Sequence, residues 1–188
     1  HSLHQSVPDG KMYSRMLGGN LVRIDVENAR GENLTNGDLV GTKDGSAYGL
    51  VFDPQDENVF YFSNNDKHCI YKYDLRTKEC ACWAGQEGKS GYLDGPIGQA
   101  MFNKPGQMCV DSEGNIILTD TENHCIRKIT MSTGYVSTLA GKPQNSGYVN
   151  GSAEDAQFKK PLGICIDNDD VMYIGDSENR AIRRLAVE

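Results

Sequence analysis

The sequence lacks several of the features that would point directly to a function. No apolar run among its 188 residues approaches the roughly 20 residues that a membrane-spanning helix needs. The net charge of −7 at pH 7 leaves no large basic face for the phosphates of nucleic acid or for an acidic membrane surface. Neither a phosphate-binding Gly-x-x-x-x-Gly-Lys-(Ser/Thr) motif nor a Gly-x-Ser-x-Gly nucleophile motif occurs. We therefore expect no nucleic-acid partner, no membrane span in this segment and neither of these two enzyme classes.

What the sequence does contain is an internal repeat with a step of 56 residues. Residues 123–128 (Asn-His-Cys-Ile-Arg-Lys) recur in diverged form at 67–72 and at 179–184. The same step relates further pairs: Ala84 and Ala140, Gly85 and Gly141, Tyr92 and Tyr148, Gly95 and Gly151, Phe102 and Phe158, Pro105 and Pro161. A long period that is maintained at many positions is typical of repeat architectures.

Each repeat unit predicts four short strands. In the unit 105–160, apolar or alternating stretches at 107–111, 116–119, 125–129 and 135–139 are separated by turn residues, and a Gly-rich loop follows. Four short antiparallel strands per unit describe the blade of a β-propeller. We therefore predict an all-β fold, a β-propeller of four-stranded antiparallel blades.

The strand pattern predicts about three and a half blades in one propeller domain. Residues 1–46 match the last three strands of a blade, 47–104 and 105–160 are complete blades, and 161–188 form a blade without its outer strand. Propellers close with typically four to eight blades. We expect the ring, a six-bladed one, to be completed by blades from the same parent chain or by a second polypeptide. The alternative is a half-propeller that dimerises.

Strand positions also predict which side chains are buried. The six cysteines are interpreted as small buried hydrophobic residues, because equivalent positions in successive blades are not natural disulfide partners. Zinc binding is the alternative, but no Cys-x-x-Cys spacing supports it. Trp83 takes the place of Leu139 and is expected in the core, whereas Arg183 and Arg184 are expected on a solvated strand face.

The repeated phrases resemble the NHL-repeat family of β-propellers. The clearest copy is Pro-Leu-Gly-Ile-Cys-Ile-Asp at 161–167 with Met-Tyr-Ile-Gly-Asp at 172–176 and Asn-Arg-Ala-Ile-Arg at 179–183. The long loop at 139–161 is similar to that of a bacterial subtype found in Bacteroides-type envelope proteins, often behind an IPT/TIG domain. The resemblance implies an extracytoplasmic protein, in the periplasm or on the outer surface, where it could be a lipoprotein. Residues 64–67 depart from the motif, and residues 1–46 match by strand pattern alone.

Two histidines are the first candidates for metal binding or acid–base chemistry. His68 and His124 occupy the same repeat position, where the third copy has Arg180. A group that recurs in each blade and is replaced by arginine is better explained as a structural hydrogen-bond donor. Asp120 and Asp176 end second strands, where a carboxylate can accept backbone N–H bonds and tighten the following turn.

The Gly-flanked loops at 91–95 and 147–151 are the stronger candidates for ligand binding. In a propeller these loops and the turns that carry His68 and His124 emerge on one face. The alternative interpretation is a well-packed turn with tyrosine as its lid. The predicted binding residues on this face are Tyr92, Asp94, Tyr148, Asn150, His68 and His124. Tyrosine side chains suit flat contacts with a protein or with sugar rings.

These observations favour a non-catalytic NHL-type propeller that acts as a binding platform for a protein or carbohydrate ligand in the cell envelope. No cofactor is predicted, and the alternative is that a divalent Ca or Zn ion binds. The alternative is a metal-dependent propeller enzyme, a lactonase-like hydrolase or a lyase, with its site at the channel mouth. RNA binding, as in some eukaryotic NHL proteins, would need a basic face that the charge does not provide.

Overall fold

The computed structural model describes residues 3–5, 12–16, 20–25, 27–35 and 47–186, and β-strands dominate them. The first two sheets are antiparallel, with their four strands in chain order. They comprise β1 (Leu3–Gln5), β2 (Met12–Met16), β3 (Asn20–Asp25) and β4 (Arg30–Asn33), then β5 (Ala47–Asp53), β6 (Asp56–Asn64), β7 (Cys69–Asp74) and β8 (Cys80–Gly85).

The third and fourth sheets follow the same plan. After the short β9 (Gly95–Pro96), the third sheet contains β10 (Pro105–Val110), β11 (Ile116–Asp120), β12 (Cys125–Thr130) and β13 (Tyr135–Ala140). The fourth contains β14 (Pro161–Ile166), β15 (Met172–Asp176) and β16 (Ala181–Leu185), and β9 pairs with the outer edge of β13. Single-turn 3-10 helices, Thr121–Asn123 and Ser177–Asn179, precede β12 and β16. The prediction of an all-β fold built from four-stranded antiparallel sheets is confirmed.

The first sheet has one strand more than its sequence predicts. Three strands were expected within residues 1–46, and β1 adds a fourth by pairing with β2, with Leu3 opposite Ser14. A strand of three residues is too short to show the alternation from which strands are predicted. Residues 6–11, 17–19, 26 and 36–46 lie outside the described residues.

Short turns connect the first and second strands of the sheets in the same way. In the third sheet Asp111 Oδ1 accepts the backbone N–H of Glu113 at 3.1 Å and of Asn115 at 2.7 Å. Asp167 repeats this in the fourth sheet, accepting from Asp169 and Val171. An aspartate that binds backbone groups two to four residues ahead stabilises a tight turn, so these carboxylates serve the turns.

The hydrophobic core lies between successive sheets. Tyr61, Phe102 and Leu118 belong to the cluster that contains residues of the second and third sheets, and Trp83 packs against it with its ring 4.3 Å from that of Tyr61. The expected core position of Trp83 is therefore confirmed. Phe158 joins the next cluster, between the third and fourth sheets. Successive four-stranded sheets that bury their faces against one another correspond to propeller blades.

Side-chain hydroxyl groups also link neighbouring sheets. Ser63 Oγ accepts the N–H of Gly49 at 2.8 Å and donates to the carbonyl of Gly106 in the next sheet at 2.6 Å. Thr119, one repeat later, donates to the carbonyl of Leu162 at 2.9 Å. The sheets approach closely here, because a Cβ atom on Gly106 would lie 2.9 Å from the carbonyl oxygen of Leu162 in the next sheet. Within the described residues, no helix is long and apolar enough to cross a membrane.

Candidate functional site

The predicted binding residues lie on the loops and turns at one end of the sheets. We call residues 86–104 the first long loop and residues 141–160 the second. Asn123 Nδ2 donates to the carbonyl of Gly91 in the first loop at 2.8 Å, and Asn179 Nδ2 donates to Gly147 in the second at 2.8 Å. Each long loop therefore lies against the turn that precedes the third strand of the following sheet.

A buried arginine anchors the first long loop. Arg127, on β12, is 0 % exposed and donates from Nη1 to Asp120 Oδ2 at 2.7 Å. Its Nη2 donates to Asp94 Oδ1, on the loop, at 2.7 Å, and to the carbonyl of Leu93 at 2.9 Å. A guanidinium group can hold two acceptors at once because its donors form a planar fork. We call this contact between the first loop and Arg127 the first junction.

Burial affects the ionisation of Asp120 at this junction. The carboxyl is fully buried, and burial raises its pKa to about 6, while Arg127 beside it opposes that rise. The carboxylate is therefore ionised at neutral pH. It also accepts the backbone N–H of Asn103 at 2.8 Å and the side-chain amide of Asn123 at 2.8 Å. Asp120 is thus a structural counter-ion. The sequence predicted a structural carboxylate that tightens the following turn, but the backbone N–H that it accepts belongs to the first long loop.

Aromatic rings cover the Arg127 guanidinium. It lies 4.9 Å from the ring centroid of Tyr92 and 5.1 Å from that of Phe102, within the range of cation–π attraction. The Tyr92 hydroxyl is 2.7 Å from Thr138 Oγ1, which fixes the ring over the guanidinium. The predicted residues Tyr92 and Asp94 are therefore brought together with Arg127, a residue that the sequence analysis had not selected.

The second long loop repeats this arrangement on Arg183, at what we call the second junction. Arg183 donates to Asp176 Oδ2 at 2.9 Å and to Asn150 Oδ1 at 2.8 Å, and its guanidinium lies 4.9 Å from the rings of both Tyr148 and Phe158. The expectation that Arg183 is solvated is wrong, since it is only 7 % exposed.

The cause of this error is a contact distant in sequence. Alternation along β16 correctly places Arg184 in solvent, but it cannot show that a loop some 30 residues earlier covers Arg183. The step that relates Arg127 to Arg183, together with an aspartate seven residues before each, was the available signal. The second sheet has Tyr71 at the equivalent position.

His68 and His124 hold the ends of the two long loops. His68 Nδ1 accepts the backbone N–H of Lys104 at 3.1 Å, and His124 Nδ1 accepts that of Lys160 at 3.1 Å. The two rings are thus hydrogen-bond acceptors at Nδ1, and the expectation of structural donors is corrected. Burial, followed by the charge of Lys104, lowers the pKa of His68, which favours the neutral ring that can accept. Arg180 shares only their left-handed backbone, with φ 53°.

The cysteines are less uniformly buried than expected. Cys69 and Cys125 are buried, but Cys80, Cys82 and Cys109 are half-buried and Cys165 is exposed, and all six are free thiols. Cys165 lies on β14, one repeat after Cys109 on β10, so equivalent repeat positions do not guarantee equal burial. The prediction that all six are buried is therefore wrong for Cys165.

A metal site needs several ligand side chains close together. Across the described parts of the chain, no group of three or more His, Cys, Asp or Glu side chains is placed to hold a metal ion. A polar cleft of about 860 Å³ does open at the opposite end of the second and third sheets, beside Asp53, Ser112 and Lys128. The Lys128 ammonium there lies 3.0 Å from Asp111 Oδ2, so this charge is already paired.

Three large hydrophobic side chains of the loops are presented to solvent among polar ones. Leu93 is 46 % exposed and Val149, one repeat later, is 42 % exposed. Tyr148 is 59 % exposed although one face of its ring lies over Arg183. Leu93 and Val149 were missed by the sequence analysis, which examined the tyrosine and the Asp or Asn on either side of them. The loops are thus fixed by buried polar contacts and expose Leu93, Tyr148 and Val149 within an otherwise mainly polar surface.

The repeat was also compared with known proteins. Residues 102–129 match the family model described as NHL repeat. NHL repeat-containing protein 2 of Gallus gallus is 30% identical over 152 residues, which is 80% of this chain and 19% of the relative. The chain belongs to the NHL-repeat β-propeller family. This confirms the resemblance found in the sequence.

Another curated relative of this NHL segment is a plant protein. The chloroplastic protein SUPPRESSOR OF QUENCHING 1 of Arabidopsis thaliana is 28% identical over 173 residues, covering 88% of this chain. The match covers 16% of that protein, so the chain spans less than a fifth of either curated relative.

Solved structures from Bacteroides thetaiotaomicron are similar over nearly the whole NHL segment. A protein of unknown function has a TM-score of 0.88 at 28% identity, with 99% of this chain and 46% of that chain covered. A protein described as an auxiliary nutrient binding protein has a TM-score of 0.72 at 29% identity, with 95% and 46% covered. The virginiamycin B lyase of Staphylococcus aureus, at 15% identity and a TM-score of 0.56 over 98% of this chain and 54% of that one, shares the fold alone.

Proposed function

We propose that this NHL segment is a non-catalytic binding platform for a protein or carbohydrate ligand, with its contact surface on the two long loops. One observation carries the proposal. The polar candidates on this face, Asp94 and Asn150 among them, are engaged in internal contacts, while Leu93, Tyr148 and Val149 are presented to solvent. Exposed apolar and aromatic groups on a fixed support are suited to binding.

The two junctions make the loops a pre-organised surface. Arg127 and Arg183 fix loop residues by short polar contacts, and His68 and His124 fix the loop ends. A surface that is already ordered loses less conformational freedom on binding, which favours affinity. In this proposal Tyr92, Asp94, Asn150 and the two histidines position the surface, and Tyr148 contacts the ligand.

We further infer that the segment is part of a six-bladed ring in an envelope protein of the periplasm or outer surface. The chain covers 46% of each of the two Bacteroides structures, which supports completion of the ring by further blades of a longer parent chain. The auxiliary nutrient binding protein among these relatives supports the envelope location. The predicted blade ranges, 47–104, 105–160 and the partial ones at 1–46 and 161–188, and an adjacent IPT/TIG domain belong to the same proposal.

The carbohydrate half of the proposal is tested by affinity electrophoresis in gels that contain purified polysaccharides such as xylan, starch or mucin glycans. We expect one of them to retard the protein, and the triple variant Leu93→Glu, Tyr148→Ala, Val149→Glu to lose at least tenfold in affinity. Tyr173→Glu is the control, because Tyr173 is 37 % exposed on β15, outside both long loops. A triple variant that binds as well as the parent would contradict the choice of surface.

The protein half is tested by photo-crosslinking from positions 93 and 149, with position 173 as the control. A specific partner captured from the loop positions alone would support a protein ligand. The enzyme alternative is tested on the same material by metal analysis and lactone hydrolysis. One divalent ion per chain, together with turnover, would replace the platform proposal with a metal-dependent hydrolase.

A further inference from the structure

The second sheet places two cysteines on neighbouring strands. Tyr71 of β7 is opposite Cys82 of β8, and Cys69 is opposite Gly85, with a register shift between these two pairs. Cys69 and Cys82 therefore stand diagonally across the strand pair, and both pack against the same hydrophobic cluster as Tyr71. Diagonal neighbours in a regular ladder have their Cα atoms about 7–8 Å apart, and a bulge alters that spacing.

The two thiols are neighbours in this arrangement. The interaction between them is the largest influence on the pKa of both Cys69 and Cys82. Cys82 Sγ also lies 3.7 Å from the carbonyl oxygen of Gly85, the residue opposite Cys69. The Cys82 sulfur is thus directed towards the end of β8 that pairs with Cys69. Both sulfurs are nevertheless free thiols in this structure.

The equivalent positions of the third sheet do not repeat this cysteine pair. One repeat later Cys69 corresponds to Cys125, but Cys82 corresponds to Thr138, which serves the first junction. The two thiols also differ in access, since Cys69 is 0 % exposed and Cys82 is half-buried. Their interaction raises the pKa of Cys69 and lowers the pKa of Cys82. Because an oxidant can reach the half-buried Cys82 but not the fully buried Cys69, Cys82 is the sulfur that reacts first.

We propose that Cys69 and Cys82 are a redox-active pair that a disulfide oxidant, such as oxidised glutathione, converts reversibly into a cross-strand disulfide. The Cys82 thiolate attacks one sulfur of the oxidant, forming a mixed disulfide and releasing one thiolate, which takes up a proton. Deprotonated Cys69 then attacks the Cys82 sulfur and releases the second thiol of the oxidant. Two protein thiols are oxidised and one disulfide is reduced to two thiols. The inference does not depend on the proposed function.

The test is a titration of the native protein in glutathione buffers of increasing oxidised fraction, followed by alkylation and peptide mapping. We expect a linked peptide joining Cys69 to Cys82, with the loss of two hydrogen atoms, that disappears on return to reduced glutathione. The remaining cysteines should be alkylated after denaturation: Cys80, Cys109, Cys125 and Cys165. Oxidation should also raise the urea midpoint, because the bond closes a loop in the unfolded chain.

Cys80→Ser is the matched control, because Cys80 lies on the same strand two residues away and is also half-buried. This variant should form the disulfide as the parent does. Cys69→Ser should stop at a glutathione adduct on Cys82, and Cys82→Ser should give no adduct at Cys69. A parent protein that accumulates only the Cys82 adduct, or links Cys69 to Cys80, would overturn the proposal. The peptide map of the parent protein shows whether Cys69 and Cys82 are linked even if a serine variant fails to fold.

Discussion

The two junctions bind similar loops with a different number of charges. Arg127 is held by two carboxylates, Asp120 and Asp94, whereas Arg183 is held by Asp176 and by the amide oxygen of Asn150. A buried cation therefore needs one carboxylate here, and its second acceptor can be neutral. The loop is recognised by the position of its oxygen atoms more than by its charge.

The strand β13 explains why the first junction has the additional carboxylate. Asp94 Oδ2 accepts the backbone N–H of Thr138 at 3.1 Å while Asp94 Oδ1 binds Arg127. Two donors approach this side chain from different directions, and a carboxylate can accept from both. At the second junction no strand beyond β16 is described, and Asn150 Oδ1 accepts from one donor only, Arg183. Strand β13 also covers Tyr92, through Thr138, whereas Tyr148 at the second junction is 59 % exposed.

The largest effect is expected from removing the buried arginine. Arg127→Leu leaves Asp120 buried without its counter-ion, and we expect the free energy of unfolding to fall by about 3–5 kcal/mol. Arg183→Leu should cost less, because the second junction is more open. Urea unfolding measures both, with Arg184→Leu as an exposed control that should change stability by less than about 0.5 kcal/mol. Equal losses for Arg127→Leu and Arg184→Leu would contradict the assignment of Arg127 as an anchor.

A smaller effect is expected from the hydroxyl groups that link the sheets. Ser63→Ala removes the acceptor of the buried Gly49 N–H and the donor to Gly106, and should cost about 1–3 kcal/mol. Thr119→Val removes only a donor to carbonyl oxygens and should cost less. The comparison is made by urea unfolding. A greater loss in Thr119→Val would show that hydrogen bonding of the Gly49 N–H is not what distinguishes the two positions.

Exchanging the second acceptor tests the difference between the junctions directly. Asp94→Asn can accept either from Arg127 or from Thr138 but not from both, so we expect a loss of about 1 kcal/mol. Asn150→Asp keeps the acceptor for Arg183 and should leave stability nearly unchanged. Both variants are compared by chemical denaturation at low and high salt. If the two exchanges had equal effects, the role given to Thr138 would be wrong.

The repeat predicted the parts of the fold that depend on local sequence. Alternation and turn residues identified the four-stranded sheets, and the 56-residue step placed Tyr92 and Tyr148 in equivalent loops. The structural role of Asp120 was predicted in part: its contact with Asn123 follows a local pattern, whereas the backbone N–H that it accepts belongs to Asn103 and not to the following turn. Such features need no knowledge of which sheet packs against which.

Contacts between distant segments could not be predicted in this way. The cover over Arg183 comes from a loop more than 30 residues earlier, and alternation shows only on which side of a strand a residue lies. The contact between Cys69 and Cys82 depends on a register shift that the sequence does not reveal. The direction of the histidine hydrogen bonds depends on the left-handed backbone of His68 and on the position of Lys104.

The smallest expected effect is the pH dependence of stability that arises from the contact between His68 and Lys104, at the end of the first long loop. The pKa of folded His68 is lowered below its usual 6.5, chiefly by burial, so the unfolded chain binds more protons as the pH falls through 6.5. The stability that neutral His68 contributes is therefore present above pH 6.5 and lost as the pH falls through the lowered value. We expect a loss below about 1 kcal/mol, because solvent screens a half-exposed group.

His68→Asn isolates this contribution, because asparagine tolerates the left-handed backbone but does not titrate. The difference in stability between parent and variant, measured by urea unfolding from pH 8 to pH 5, should favour the parent less as the pH falls. His124→Asn changes the equivalent contact with the Lys160 N–H, also 3.1 Å long, and gives the matched curve at the end of the second long loop. A pH-independent difference for His68→Asn would mean that the pKa of His68 is the same in the folded and the unfolded chain, and this would contradict a contribution from the neutral ring.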